Sequence, residues 1–235
     1  MFSIFKPKKL KTDFISYIAH EIRTPLASQR WNAEMLLDGT IGAMTDDQKK
    51  MLTQIYNSNK RVCNLIDNLL EIVHTENGKY ILKPEQVDIV AMTHEILAKD
   101  KDLIKEKELN INADFSNESI VFNFDKKSLE LILRTLINNA INYNKQAGTI
   151  DIHIENKNNE VVIKVTDTGL GIKDEDKEKI GKEMFRGADT KDKVEGTGLS
   201  LLLIKKVLAL TGGAISFEST LGAGSSFVVN LSIKK

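Results

Sequence analysis

Residues 14–26 read FISYIAHEIRTPL, and the spacing of side chains in this stretch decides how the N-terminal part of the chain folds. Phe14, Ile15, Ile18, Ile22 and Leu26 recur three and four apart, so they share one face of a helix. His20, about 200° round from Ile18 at about 100° per residue, points the other way, toward solvent. Glu21 follows it directly and Thr24 lies one turn further on. Pro25 removes an intrahelical donor and crowds the carbonyl four residues earlier, which predicts a kink just after the histidine turn.

The helical pattern runs from about residue 10 to 37, and DGTIGAM (38–44) interrupts it with two glycines. Thr45 and Gln48 form a capping-box pair, so a second helix is expected to start near Thr45. It carries Leu52, Ile55, Asn59, Val62, Ile66, Leu69 and Val73 at alternating gaps of three and four, a heptad seam. A second stripe runs beside it through Met51, Ile55, Ser58, Val62, Leu65, Leu69 and Ile72. Two seams are more apolar surface than one partner helix covers, which predicts that two hairpins associate as a four-helix bundle and the protein is a homodimer. Asn59 in the seam is expected to fix register or partner choice. The competing arrangement is a monomeric hairpin folded against the rest of the chain.

The composition is balanced: 33 Lys and Arg against 33 Asp and Glu, which gives no sign of nucleic acid as the main partner. Cys63 is the one cysteine and lies in a helical pattern, so no intrachain disulfide forms and a reducing, cytoplasmic setting is expected. No apolar run reaches the roughly 20 residues of a membrane span. Lys6, Lys8, Lys9 and Lys11 beside Phe2, Ile4 and Phe5 read as a solvated linker over residues 1–9, with a membrane-surface segment as the alternative.

Beyond about residue 78 the period changes. Residues 79–88 read as an extended entry into a second domain, 79–235, distinct from the hairpin domain at 10–78. A helix over about 89–107 is expected, then strand-like LNINADF (109–115) and SIVFNF (119–124), and Asp125 as the N-cap of a helix reaching Tyr143. TIDIHIEN (149–156) and EVVIKVTD (160–167) alternate apolar and polar residues around a short turn, a hairpin signal. A helix from about Gly198 and strands AISFES (214–219) and SSFVVNLS (225–232) complete the chain. The fold class is α+β: a helical hairpin, then an α/β sandwich with one mixed, largely antiparallel sheet covered by helices.

Three segments of this second domain carry unusual chemistry. In LELILRTLINNAINYN (129–144), Asn138, Asn139 and Asn142 interrupt an apolar stripe, although amides are weak helix formers. The side-chain oxygen of Asn139 is a hard ligand suited to Mg²⁺ bound together with nucleotide phosphates. DTGLGI (167–172) offers a carboxylate able to accept from an exocyclic amine, and glycines that permit a sharp turn. EGTGLSLLLI (195–204) sets glycines immediately before a helix, where main-chain amides cradle phosphates.

HEIRTPL (20–26) resembles the phospho-acceptor box of sensor histidine kinases residue for residue. The asparagine helix, then DxGxG, then GTGL opening a helix resembles the ATP-binding domain shared by histidine kinases, gyrase, a heat-shock chaperone and a mismatch-repair ATPase. Together they resemble a histidine kinase core from about Lys9 onward. The resemblance implies ATP and Mg²⁺ as cofactors, with Asn139 as metal ligand and Asp167 on the adenine amine. It implies Gly169 and Gly171 around the base, and Gly196, Thr197 and Gly198 near the phosphates, with Asn142, Tyr143 and Leu199 also in contact with the nucleotide. Arg186, in KIGKEMFRGAD (179–189), would stabilise charge on the γ-phosphate, and residues 187–195 would form a lid.

On this reading His20 takes the γ-phosphoryl group and passes it to an aspartate of a response regulator. Imidazole, with a free pKa of about 6.5, is a neutral nucleophile in the cytoplasm. Glu21 would orient the ring and accept its proton, and Thr24 would position a water for a phosphatase activity. Any link to a membrane would run through a sensor N-terminal to this stretch. The chain departs from the family at Thr135, Asn142, Gly181, Met184 and Ser200, where the usual residues are an asparagine, a lysine or similar polar residue, two aromatics and a glycine. Those departures keep open a dimeric pseudokinase or scaffold with a weakened nucleotide site, and a further reading is an ATPase driven by nucleotide-dependent closure.

Overall fold

A computed structural model of the chain describes residues 7–182 and 198–233, with side chains from Phe14 onward. The chain divides into two compact units, Met1–Tyr80 and Ile81–Lys235. Among the described residues, no helix is long and apolar enough to cross a membrane.

The first unit is two helices of equal length, α1 (Pro7–Leu37) and α2 (Asp46–Glu76), packed along each other. The start of α2 is closed as its sequence predicts: Thr45 Oγ1 accepts from the Gln48 amide, and the Gln48 side chain accepts from the Thr45 amide. The face of α2 that meets α1 is formed by the buried or half-buried Leu52, Tyr56, Asn59, Cys63, Ile66, Leu70 and Val73. This differs in phase from the first seam read from the sequence. Ile55, Val62 and Leu69 belong instead to the second stripe and, with Met51, remain exposed. Asn59 is therefore not on the outward stripe. It is 7% exposed and donates Nδ2–H to Leu26 O (3.1 Å) and Gln29 Oε1 (3.2 Å), tying α2 to α1.

The second unit opens with β1 (Pro84–Asp88), α3 (Ile89–Lys99) and α4 (Lys101–Glu106). The single helix expected over 89–107 is thus two, divided at Asp100, whose backbone (φ −98°, ψ 9°) leaves helical geometry. Asp88 caps α3 by accepting from the amides of Val90 and Ala91. Next come β2 (Asn110–Phe115), β3 (Val121–Asp125) and α5 (Lys126–Asn142), with Asp125 capping α5 through the Ser128 amide as its sequence indicates. Then follow β4 (Thr149–Lys157), β5 (Glu160–Asp167), the short α6 (Asp174–Lys177), α7 (Ser200–Thr211), β6 (Ala214–Thr220) and β7 (Gly224–Ser232).

Five strands form a mixed sheet in the order β2-β4-β5-β7-β6; β2 and β4 are parallel and the other pairs antiparallel. β1 and β3 pair with each other instead, as a separate two-stranded sheet, so the expected single sheet is two. Alternation places Ile150, Ile152 and Ile154 of β4 and Val161, Ile163 and Val165 of β5 on one face, where they are buried with Leu129, Ile132, Leu133, Leu136 and Ile137 of α5. Asp151, His153 and Lys164 alternate onto the opposite, accessible face. The helices cover one side only, giving a two-layer sandwich. This layering brings the C-terminal end of α5 beside the end of β5.

Candidate functional site

His20 stands on α1 with its side chain 74% exposed, as its helical phase requires. Its Nδ1 lies 3.6 Å from Glu21 Oε1, one small shift from a hydrogen bond. Thr24 Oγ1 donates to the main-chain oxygen of His20 (3.3 Å). The helix passes through Pro25 without ending. Just beyond the histidine, Arg23 Nη2 meets Asp67 Oδ1 at 2.6 Å, and the two Asn59 bonds follow one turn later, so α1 is tied to α2 along the segment that carries His20.

In the second unit, the end of α5 and the loop after β5 are joined by main chain. Tyr143, the C-cap of α5, donates its amide to Asn139 O, and its own oxygen accepts from the Leu170 amide (3.0 Å). Gly169 lies so close that an added Cβ would sit 2.2 Å from Tyr143 O and 2.9 Å from Asn144 Cα. Gly171, at φ +65°, would place a Cβ 2.0 Å from Thr220 O, and the Gly222 amide donates to Leu170 O. The loop therefore needs both glycines for packing against its own protein, whatever else they shape.

Asp167, the last residue of β5, is 7% exposed. Burial pushes its carboxyl above the usual carboxylate range, and hydrogen bonds from the Gly169 and Ser225 amides offset this only in part. Gly169 N–H donates to Oδ1 at 2.8 Å. A carboxylate has about four lone-pair sites, so two amides leave it able to accept from a ligand amine.

On α5, Asn139, Asn142 and Tyr143 are half-buried, and Thr135 is buried. Asn138 Oδ1 is closed off from solvent and accepts no hydrogen bond, an unmet acceptor one residue from Asn139. Amide oxygens suit Mg²⁺, and among the described residues no three His, Cys, Asp or Glu side chains gather to hold a metal alone. Mg²⁺ would thus rely on one amide oxygen, phosphates and water, the arrangement it favours.

α7 begins at Ser200 after Leu199, which is buried, with no side-chain cap, and Gly198 before it adopts φ +71°. Ser200 occupies the first turn of that helix, and a left-handed residue there explains Gly198. Arg186, Gly196, Thr197, Met184 and the segment 187–195 lie outside the described residues. Gly181 is left-handed (φ +67°), and a Cβ there would meet the Lys205 side chain at 2.8–3.0 Å. Lys205 Nζ donates to Ile180 O (3.0 Å), so a lysine of α7 occupies the space in which an aromatic residue at 181 would have to fit.

Two further residues were not legible as parts of this region. Lys107 Nζ donates to Ile141 O (2.9 Å) and Asn142 O (2.8 Å), closing the C-terminal end of α5 with a cation, and burial lowers its pKa. Asn144, also 7% exposed, bonds to both neighbouring segments. Lys107 is 34 residues from its first acceptor, and Asn144 looks like an ordinary turn residue, so neither gave a sequence signal.

Residues 10–78 match the His Kinase A (phospho-acceptor) domain, and residues 124–235 match the histidine kinase-, DNA gyrase B- and HSP90-like ATPase family. The circadian input-output histidine kinase CikA of Synechococcus elongatus is 30% identical over 223 residues, 93% of this chain and 29% of CikA. The sensor protein SrrB of Staphylococcus aureus is 28% identical over 225 residues, 95% of this chain and 38% of SrrB. The chain thus spans less than two fifths of the length of either relative. Full-length ShkA, solved in complex with AMPPNP, superposes with a TM-score of 0.76 at 23% identity, over 95% of this chain and 46% of ShkA, which shows a shared fold. Because a phospho-acceptor hairpin and an ATPase domain of this type follow each other in one chain, the chain belongs to the sensor histidine kinases, of which it carries the catalytic core.

Proposed function

We propose that residues 10–78 form the dimerisation and phosphotransfer domain and 79–235 the ATP-binding catalytic domain of a kinase that phosphorylates His20 from ATP and passes the phosphoryl group to an aspartate of a response regulator. The observation that carries this reading is an exposed imidazole beside a carboxylate on α1, in a chain that also holds a buried carboxylate and asparagine helix of the ATPase type. Asp167 accepts the adenine amine, which replaces the hydration its carboxylate has lost. Asn142, Tyr143 and Leu199 border the nucleotide, and Gly196, Thr197 and Gly198 bring main-chain amides to its phosphates. Asn139 would hold Mg²⁺, which would offset negative charge on the nucleotide's phosphates. A nitrogen of His20 forms the new P–N bond as the bond from the γ-phosphorus to the β–γ bridging oxygen breaks and ADP leaves. Glu21 turns the ring and takes the Nδ1 proton as imidazolium character develops. Arg186 offsets charge on the transferring group. In a separate hydrolysis, the Thr24 hydroxyl positions a water that attacks the regulator's phosphoaspartate, breaking the bond from phosphorus to the carboxyl oxygen and releasing inorganic phosphate.

Homodimer formation is part of the proposal. Phe14, Ile18 and Ile22 on α1 and Met51, Ile55, Val62 and Leu69 on α2 are exposed in one hairpin. Covering this apolar surface with a second hairpin is favourable because it removes it from water. His20 and Asp167 belong to different units, so phosphorylation requires the units to meet, with residues 77–83 as the connection. The test is incubation with γ-labelled ATP and Mg²⁺ beside His20→Gln and Asn139→Ala. Acid-labile, alkali-stable label in the wild type and none in either variant is expected; label kept in His20→Gln would remove His20 as acceptor.

A further inference from the structure

We propose that Asn144 is a positioning residue that locks the Asp167–Gly171 loop onto the C-terminal end of α5, so that the base contact and the asparagine helix keep one register. This rests on the nucleotide-binding reading above and adds to it a residue that touches neither base nor phosphate.

The network is half-buried and centres on Asn144, itself 7% exposed. Asn144 Oδ1 accepts from the Lys145 amide (3.1 Å) and from Thr168 Oγ1–H (3.4 Å), and Nδ2–H donates to Thr149 O (3.1 Å). Thr168 Oγ1 in turn accepts from the Thr149 amide (2.9 Å), and the Thr168 amide donates to Thr149 O (3.1 Å). One side chain thus joins the end of α5, the first residue of β4 and the residue after Asp167. Two glycines are shaped to it: a Cβ on Gly148 would sit 2.2 Å from Asn144 Oδ1, and one on Gly169 would sit 2.9 Å from Asn144 Cα. The Tyr143 O to Leu170 N bond (3.0 Å) then fastens the loop from the other side. The position requires an acceptor for two donors and a donor for one carbonyl in a single short side chain. An amide supplies all three, whereas a carboxylate would face Thr149 O without a proton to give.

Asp167 precedes Thr168 directly, so its direction depends on this lock. Loosening it should blur recognition of the base while leaving the transfer step intact. The experiment uses the full chain as wild type, Asn144→Ala, Thr168→Val, the conservative Asn144→Ser, and Lys145→Ala as a control at an exposed side chain. In nucleotide-free protein, amide hydrogen exchange at Gly169 and Leu170 should quicken roughly tenfold in Asn144→Ala and Thr168→Val, the loss of about one buried hydrogen bond. The amides of Ile152 and Ile163 should keep their rates. With ATP and Mg²⁺, KM should rise roughly tenfold and the preference for ATP over GTP should shrink, while kcat at saturating ATP stays near wild type. Asn144→Ser should recover part of both effects, and Lys145→Ala should match the wild type. Wild-type exchange at 169 and 170 in both Asn144→Ala and Thr168→Val overturns the proposal, as does a uniform quickening of all amides with KM unchanged. A wild type that binds no ATP overturns the nucleotide reading instead, and the exchange measurement still judges Asn144.

Discussion

Asp167 is where electrostatics and function pull in opposite directions. Its carboxyl is buried and carries a raised pKa, so the native state holds a proton at pH values where the unfolded chain has already lost it. Stability therefore falls as pH rises from the ordinary carboxylate range, about 3.9, through the raised folded value. Nucleotide affinity should run the other way, because the protonated acid no longer offers a full acceptor to the base amine. Calorimetric titration with ATP should show affinity falling as pH drops through the raised pKa, with Asp167→Asn binding weakly and flatly across the same range. Thermal or urea melts of Asp167→Asn near neutral pH should stay within about 1 kcal/mol of wild type, since the lost amide bonds are offset by the removal of a desolvated charge. Gly171 makes the complementary case. Its φ of +65° and the 2.0 Å approach of a Cβ to Thr220 O both oppose a side chain. Gly171→Ala should lose roughly 2–4 kcal/mol in urea unfolding, and a wild-type midpoint would show that the turn relaxes freely.

At the scale of the element, the hairpin sorts its apolar residues into an inner seam and an outer stripe. Ile55→Asp with Val62→Asp on the outer stripe should convert the proposed dimer to a folded monomer, read by sedimentation with helicity unchanged. Ile66→Asp on the inner seam should instead unfold the hairpin. Asn59→Ala removes two bonds to α1 and should destabilise by about 1–2 kcal/mol in thermal melts without changing the oligomeric state. This division was only half legible. The heptad spacing identified two stripes, but periodicity does not say which one meets the partner within the chain, and Tyr56, Cys63 and Leu70 lay outside both. Caps were legible at Thr45 and Asp125 because the donors they satisfy are local. The break at Asp100 was not, since a charged run through KDKD continues a helical pattern without a proline or glycine. The pairing of β1 with β3 was hidden for a similar reason: a partner about 35 residues away leaves no trace in strand periodicity.

For the whole molecule, the motifs named the chemistry but not its scaffolding. Asp167 and the asparagines stood out because polar groups in apolar patterns need a reason. Lys107 at the end of α5, Asn144 at the start of the following loop and Lys205 at Ile180 bond to main-chain carbonyls that only the fold brings near. At Gly181, the Lys205 side chain lies against the position a Cβ would take and bonds to Ile180 O. On the function proposed above, the two units together place a phosphoryl group on one imidazole. The chain has four histidines: His74 near the end of α2, His94 against the Phe115 ring, His153 bonded to Asp114, and His20. The most direct measurement is mass-spectrometric mapping of the full chain after exposure to ATP and Mg²⁺, kept alkaline to preserve phosphohistidine. The phosphoryl group is expected on His20 and on no other residue; an unmodified chain, or a phosphoryl group on another side chain while His20 stays bare, would contradict it.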